Sequence, residues 1–106
     1  MELPLVLSQY FSAVNAQDIA ATAECFAPEA VVHDEGEDLQ GIDAVTGWIE
    51  STTEKYRVTH QVQKFEERNG ESIVTSLVSG TFDGSPIELD FHFTINQGKI
   101  TRLRVE

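Results

Sequence analysis

Tyr10-Phe11-Ser12-Ala13-Val14-Asn15-Ala16-Gln17-Asp18, followed by Cys25-Phe26-Ala27-Pro28-Glu29-Ala30-Val31-Val32-His33-Asp34, decides the fold. Two short helices, broken at Asn15 to Asp18, run into a strand that closes on His33-Asp34. Pro4 sits where a first helical turn tolerates it, and Leu3, Val6 or Leu7, Tyr10 or Phe11, and Val14 recur at helical spacing. Asp18 is a good N-cap for the second helix, on which Ile19, Ala23 and Phe26 mark one face and which Pro28 is expected to stop. Val31-Val32-His33 reads as a short strand and Asp34 to Gln40 as an exposed acidic loop or edge. Ile42, Val45, Trp48 or Ile49, and Thr52 predict a third helix after Gly41, with Asp43 placed to favour its dipole.

From Tyr56 onward the apolar period changes from helical to two. The turn signals Asn69-Gly70, Asp83-Gly84 and Asn96-Gln97-Gly98 divide this half into strands over 57–66, 72–82, 87–95 and 99–105. Helices first and an antiparallel meander after make an α+β chain: a curved antiparallel sheet covered on one face by three N-terminal helices. At 106 residues it forms a single domain over 1–106, able to bury roughly 65% of the surface of its unfolded form.

Eighteen acidic residues against seven basic ones give a formal charge of −11, which argues against nucleic acid or an anionic membrane surface as partner. The same field favours a neutral or cationic ligand over an anion. The single Cys25 cannot form an internal disulfide, and no apolar run approaches the ~20 residues of a membrane span. A cytoplasmic location is therefore expected.

Taken in order, the Tyr-Phe opening with its Asn15-Ala16-Gln17-Asp18 break, the Phe26 to Asp34 stretch, Gly41, Gly80-Thr81-Phe82-Asp83-Gly84 and Gly98-Lys99-Ile100 resemble the SnoaL-like branch of the nuclear transport factor 2-like superfamily. The resemblance spans essentially the whole chain. It implies a cone of sheet closed by helices, a pocket inside the cone, and a homodimer formed through the outer sheet face. Known functions in the family include ketosteroid isomerases, polyketide cyclases, dehydratases, epoxide hydrolases and domains without catalysis, so the fold alone assigns no reaction.

Ketosteroid isomerases hold an oxyanion with a first-helix tyrosine and a protonated aspartate while a second aspartate moves the proton. By resemblance, Tyr10 stands at the tyrosine and Asp34 at the base. Counting back from Lys99 puts Asp90 on the oxyanion aspartate, whereas a turn one residue shorter puts Leu89 there. Strand alternation favours Leu89, because Leu89, Phe91, Phe93 and Ile95 share the face that should meet the helices, leaving Asp90 and His92 outside. The tyrosines that support the oxyanion tyrosine in those isomerases are matched here by Phe26 and Ile49.

Asp34 is the candidate general base, since a carboxylate at the rim of an apolar cleft is partly dehydrated and accepts a proton more readily. Tyr10 is the candidate hydrogen-bond donor. Val14, Phe26, Val32, Trp48, His60, Leu89 and Phe91 are expected to line the ligand pocket. His33 alternates away from Asp34, His92 sides with Asp90, and His60 looks inward from another strand, so the three histidines form no triad. The acidic run Asp34 to Asp38 fits no calcium loop and no zinc motif occurs, so neither a metal nor another cofactor is expected. Cys25 beside Phe26 suits a small buried hydrophobe, and no nucleophile elbow or phosphate-binding glycine loop is present. Two functions remain open: an isomerase, cyclase or dehydratase acting by proton transfer on an apolar small molecule, and a non-catalytic ligand-binding or dimerising module.

Overall fold

The computed structural model of the chain describes residues 2–106. Helix α1 (Leu5–Asn15) begins on the Pro4 carbonyl, which accepts from the N–H groups of Leu7 and Ser8 at 3.0 and 3.1 Å. It buries Val6, Leu7, Tyr10, Phe11, Ala13 and Val14, an apolar stripe of helical period. After the break, α2 (Ile19–Glu24) is capped by Asp18, whose Oδ1 accepts from the Ala21 N–H at 3.0 Å. Then come β1 (Phe26–Asp34), β2 (Glu37–Gln40), α3 (Ile42–Glu50), β3 (Thr59–Arg68), β4 (Glu71–Ser79), β5 (Ile87–Asn96) and β6 (Lys99–Val105). A wider, π-type turn over Ser51–Lys55 continues α3.

The six strands form one sheet in the order β2-β1-β6-β5-β4-β3. β6, the last in sequence, lies between β1 and β5, and the β1–β6 pair is parallel while every other neighbouring pair is antiparallel. The sheet is thus mixed rather than wholly antiparallel. The parallel pairing follows from placing the last strand beside the first, because the long excursion through β2 to β5 serves as the crossover that parallel neighbours require. On its concave face Val32, Phe93 and Leu103 are fully buried side by side, with Val74 and Phe91 beyond them, against Leu7, Tyr10 and Phe11 of α1. Burying each such side chain contributes about 1.5–3 kcal/mol, so this face holds the sheet to the helices.

Three local expectations change. Phe26 does not extend α2 but opens β1, which runs nine residues rather than three, and α2 already ends at Glu24. Pro28 does not stop the helix; it lies exposed within β1 where the pairing with β6 shifts register between Phe26 and Val31, a place that lacks no hydrogen bond when proline brings no donor. Of the two readings of the acidic run, loop or edge, the edge holds: Glu35 and Gly36, at φ of 51° and 77°, form a tight turn that folds β2 back onto β1 at the end of the sheet. The strand expected over 72–82 stops early: β4 ends at Ser79, and the Asp83-Gly84 turn lies in a longer loop of residues 80–86 before β5. Asn69-Gly70 and Gln97-Gly98, with both residues of each pair at positive φ, do make the expected hairpins.

β3 is the outer edge on the far side, and its exposed backbone is met by the break between α1 and α2. The Asn15 side chain donates to the His60 carbonyl at 3.0 Å and accepts from the His60 N–H at 2.7 Å. Gln17, at φ of 60°, donates to the Val58 carbonyl at 2.9 Å, two residues back along the same edge. Two side-chain amides therefore cover this end of the edge, at Val58 and His60, as a further strand would.

Candidate functional site

α1, α3 and the concave face of the sheet enclose a cleft of about 640 Å³. Tyr10 and Val14 of α1 reach it from one side, Trp48 and Ile49 of α3 from another, and His60, Val78, Leu89 and Phe91 from the sheet. Asp34, the last residue of β1, stands in its wall, and Glu35, Asp83, Glu106 and Lys55 are also in contact with it.

Asp34 is anchored. The indole Nε1–H of Trp48, fourteen residues on, donates to its Oδ2 at 2.9 Å. This bond ties the end of β1 to α3 and orients the carboxylate, leaving Oδ1 for another partner. Tyr10 is 2% exposed, its ring held edge-on by Phe11, Phe26 and Phe93 at centroid separations of 5.0, 5.9 and 5.4 Å. Among the described residues nothing accepts a hydrogen bond from its hydroxyl. Burial first, then the nearby Cys25 thiol and Asp34 carboxylate, push its ionisation far up, so the phenol stays neutral and can donate. Burial also pushes the Cys25 thiol up, in keeping with an inert core residue.

His60, half-buried, is a further titratable group of the cleft. Its ring lies 5.0 Å from those of Phe11 and Phe91, and burial lowers its pKa to about 4. Asn15 clamps its backbone, and its Nδ1 is 2.9 Å from the Ser76 hydroxyl.

Of the residues expected in the pocket, Val14, Trp48, His60, Leu89 and Phe91 line it together with Tyr10 and Asp34. Phe26 and Val32 do not. Phe26 packs behind Tyr10 and Val32 beneath the sheet centre, both closed off in the core, because β1 places only its Asp34 end at the cleft. Leu89 faces the cleft, while Asp90 points to the outer face, where its Oδ1 accepts from Thr75 at 2.7 Å. His92 shares that outer face, 3.6 Å from Glu71 and 3.4 Å from Glu106. His33 pairs with Asp38 across the β1–β2 hairpin, away from the cleft.

Tyr56 and Phe82 are lining residues that periodicity alone did not single out. Their rings meet edge-on at 6.4 Å where the loop of residues 80–86 folds over the end of α3. Gly80 permits that fold: a Cβ there would lie 2.5 Å from the Tyr56 carbonyl oxygen, which instead accepts from the Thr81 N–H at 2.8 Å. The Gly80-Thr81-Phe82 run is the sequence signal for this wall. Among the described residues no cluster of histidine, cysteine and carboxylate side chains is arranged to hold a metal ion, and no helix is long and apolar enough to cross a membrane.

The family model of the SnoaL-like domain matches residues 7–103. Among solved structures, a candidate polyketide cyclase from Sinorhizobium meliloti is 36% identical, with a TM-score of 0.92 over 98% of this chain and 95% of that one. A protein of ketosteroid isomerase-like fold from Catenulispora acidiphila, solved in complex with trimethylamine, is 16% identical, with a TM-score of 0.84 over 99% and 86% of the two chains. A computationally designed 17-OHP binder is 18% identical, with a TM-score of 0.82 over 96% and 87%. The last two show the fold alone. No curated protein matches the chain.

Proposed function

The chain belongs to the SnoaL-like domain family of the nuclear transport factor 2-like superfamily, and from that premise we propose that its cleft takes an apolar, uncharged small molecule and moves a proton on it, in an isomerisation, cyclisation or dehydration. One observation carries this reading. An oriented carboxylate, Asp34, and a neutral buried phenol without a protein partner, Tyr10, face the same cleft. Asp34 Oδ1 would take a proton from the carbon next to a ligand carbonyl. Tyr10 would donate to the carbonyl oxygen as the electron pair moves onto it, and a fixed donor there favours the enolate over the ketone. Return of the proton to another carbon completes an isomerisation; attack of the enolate carbon on a second carbonyl closes a ring. The similarity to the Sinorhizobium meliloti protein supports the second outcome.

Asp34→Asn keeps the acceptor for Trp48 and removes the base. Turnover in a panel of cyclic enones and linear diketones should fall at least ~100-fold while the melting temperature stays within a few degrees. Equal turnover in the folded variant would remove Asp34 from the mechanism. Leu89, which lines the cleft, favours a second reading, because by the family resemblance it stands where the isomerases have an acid to share the oxyanion. Binding without turnover then follows, and Asp34→Asn would bind the panel as wild type does. For assembly we propose a homodimer through the outer sheet face; sedimentation as a monomer at micromolar concentration would refute it.

A further inference from the structure

His60 is bound by more contacts than a wall residue needs. Its backbone is clamped by Asn15, its ring is wedged between Phe11 and Phe91, and its Nδ1 meets Ser76, whose hydroxyl is fully buried. Nε2 has no hydrogen-bond partner among the described residues, and the ring borders the cleft. The Ser76 hydroxyl has a second neighbour, the Gln61 carbonyl oxygen at 3.4 Å, to which it donates. A hydroxyl has one proton. If that proton goes to the carbonyl, which can only accept, Nδ1 must carry its own proton and donate to Ser76. The chain Nδ1–H to Oγ–H to O=C then gives every group in it a partner, whereas a hydroxyl turned to Nδ1 leaves the Gln61 carbonyl without the Ser76 proton. In that arrangement the neutral imidazole is the Nδ1–H tautomer, with the Nε2 lone pair bare. Burial keeps the ring uncharged through the physiological range, so the lone pair is available at neutral pH.

We propose that His60 is a ligand-binding residue whose Nε2 accepts a hydrogen bond from a ligand hydroxyl, with Ser76 as the residue that fixes its tautomer. This rests on the cleft being the ligand site, and it narrows the ligand class. Tyr10 offers a proton and His60 offers a lone pair, a pair of opposite polarity among the rings and aliphatic side chains of a cleft that also carries Asp34, Glu35, Lys55, Asp83 and Glu106. The matching molecule is neutral, largely apolar, and has both an acceptor such as a carbonyl and a donor such as a hydroxyl. A hydroxyketone meets that description; a hydrocarbon, a simple ketone and a carboxylate do not. The ring centroids of Tyr10 and His60 each lie 5.0 Å from that of Phe11, so the two side chains are close enough for one small molecule to span them.

The test uses para-hydroxyacetophenone and para-methoxyacetophenone, which share the carbonyl and differ in whether the other end can donate. In nitrogen-15 labelled protein, long-range proton–nitrogen correlation should show His60 as the Nδ1–H tautomer, and para-hydroxyacetophenone should move the Nε2 resonance. It should bind about threefold to tenfold tighter than the methoxy probe, the worth of one hydrogen bond. His60→Phe should abolish the preference. Ser76→Ala leaves the ring in place, so it should switch the tautomer and weaken the preference in a folded protein, which a purely structural serine would not do. All of this should persist in an Asp34→Asn background, where turnover is absent, so loss of the proton-transfer reading would leave the result standing. An Nε2–H tautomer in the free protein, equal affinity for the two probes, or no binding of either up to the limit of solubility overturns the proposal.

Discussion

Removing the Asn15 side chain should loosen the edge of the sheet at one residue and, through it, the cleft wall. In Asn15→Ala, the His60 N–H and carbonyl lose bonds of 2.7 and 3.0 Å, and among the described residues no other group bonds them from that side because β3 is the edge strand. Two such bonds are worth about 1–3 kcal/mol together; Asn15 is exposed and water can replace part of the loss, so the lower half of that range applies. Alanine, at the end of α1, recovers about 0.6 kcal/mol of helix propensity over asparagine. The net cost is about 0.5–1.5 kcal/mol. With an unfolding entropy of about 0.22 kcal/mol/K for a chain of this length, the melting temperature should fall by about 2–7 °C. Calorimetry reads the global effect and amide hydrogen exchange the local one: the His60 amide should lose protection in Asn15→Ala while the Phe93 amide, in the sheet interior, keeps its own. Asn15→Asp should be no better than alanine, since it keeps the acceptor for the N–H but turns a second acceptor toward the carbonyl. An unchanged melting temperature together with unchanged exchange at His60 would show that the amide does not close the edge.

The His60 imidazole gives the protein an acid-labile component. Unfolding restores a pKa of 6.5 from about 4, so between these values the unfolded chain binds the extra proton. Stability should therefore be full above pH 6.5 and fall through the window to about 4, by about 3 kcal/mol; denaturant titrations of wild type and His60→Gln across that range should converge toward low pH. Gly80→Ala brings a methyl group against the Tyr56 carbonyl and forces the loop of residues 80–86 outward. Its expected signature is a larger loss of ligand affinity than of stability, measured by calorimetric binding and melting on the same sample, and a wild-type affinity would refute it.

Most of the architecture was legible because it is written in periods and punctuation. The helical spacing from Val6 to Val14, the change to alternation after Tyr56 and the glycine turns correspond to elements found where expected. Three things were not. The length of β1 was hidden because Pro28 reads locally as a stop and its tolerance depends on a register shift against a strand more than seventy residues away. The β1–β2 hairpin was hidden because Glu35-Gly36 lacks the asparagine or aspartate that usually signals such a turn. The place of β6 is a matter of which strands meet, and no local pattern encodes it. At the cleft, alternation separated Leu89 from Asp90 correctly, since period two is exact within a strand. It failed for Phe26 and Val32, because facing inward does not distinguish a cleft wall from the packed core below it. The roles of Asn15 and Ser76 lay beyond reach for the same reason: each acts on a residue forty-five or sixteen positions away.

The position of β6 bears on how the protein is made. With β6 absent, the sheet falls into two unconnected parts, a β1–β2 hairpin under the helices and a β3–β4–β5 meander, and the concave face that α1 needs is missing its Ile100 and Leu103. A nascent chain thus exposes Leu7, Tyr10 and Phe11 until β6 has been added, and folding waits on a contact between the first strand and the sixth. Such topology is slow, in the range of milliseconds to seconds. A premature stop within β6 would leave no smaller version of this fold, only two sheet edges free to pair with other chains.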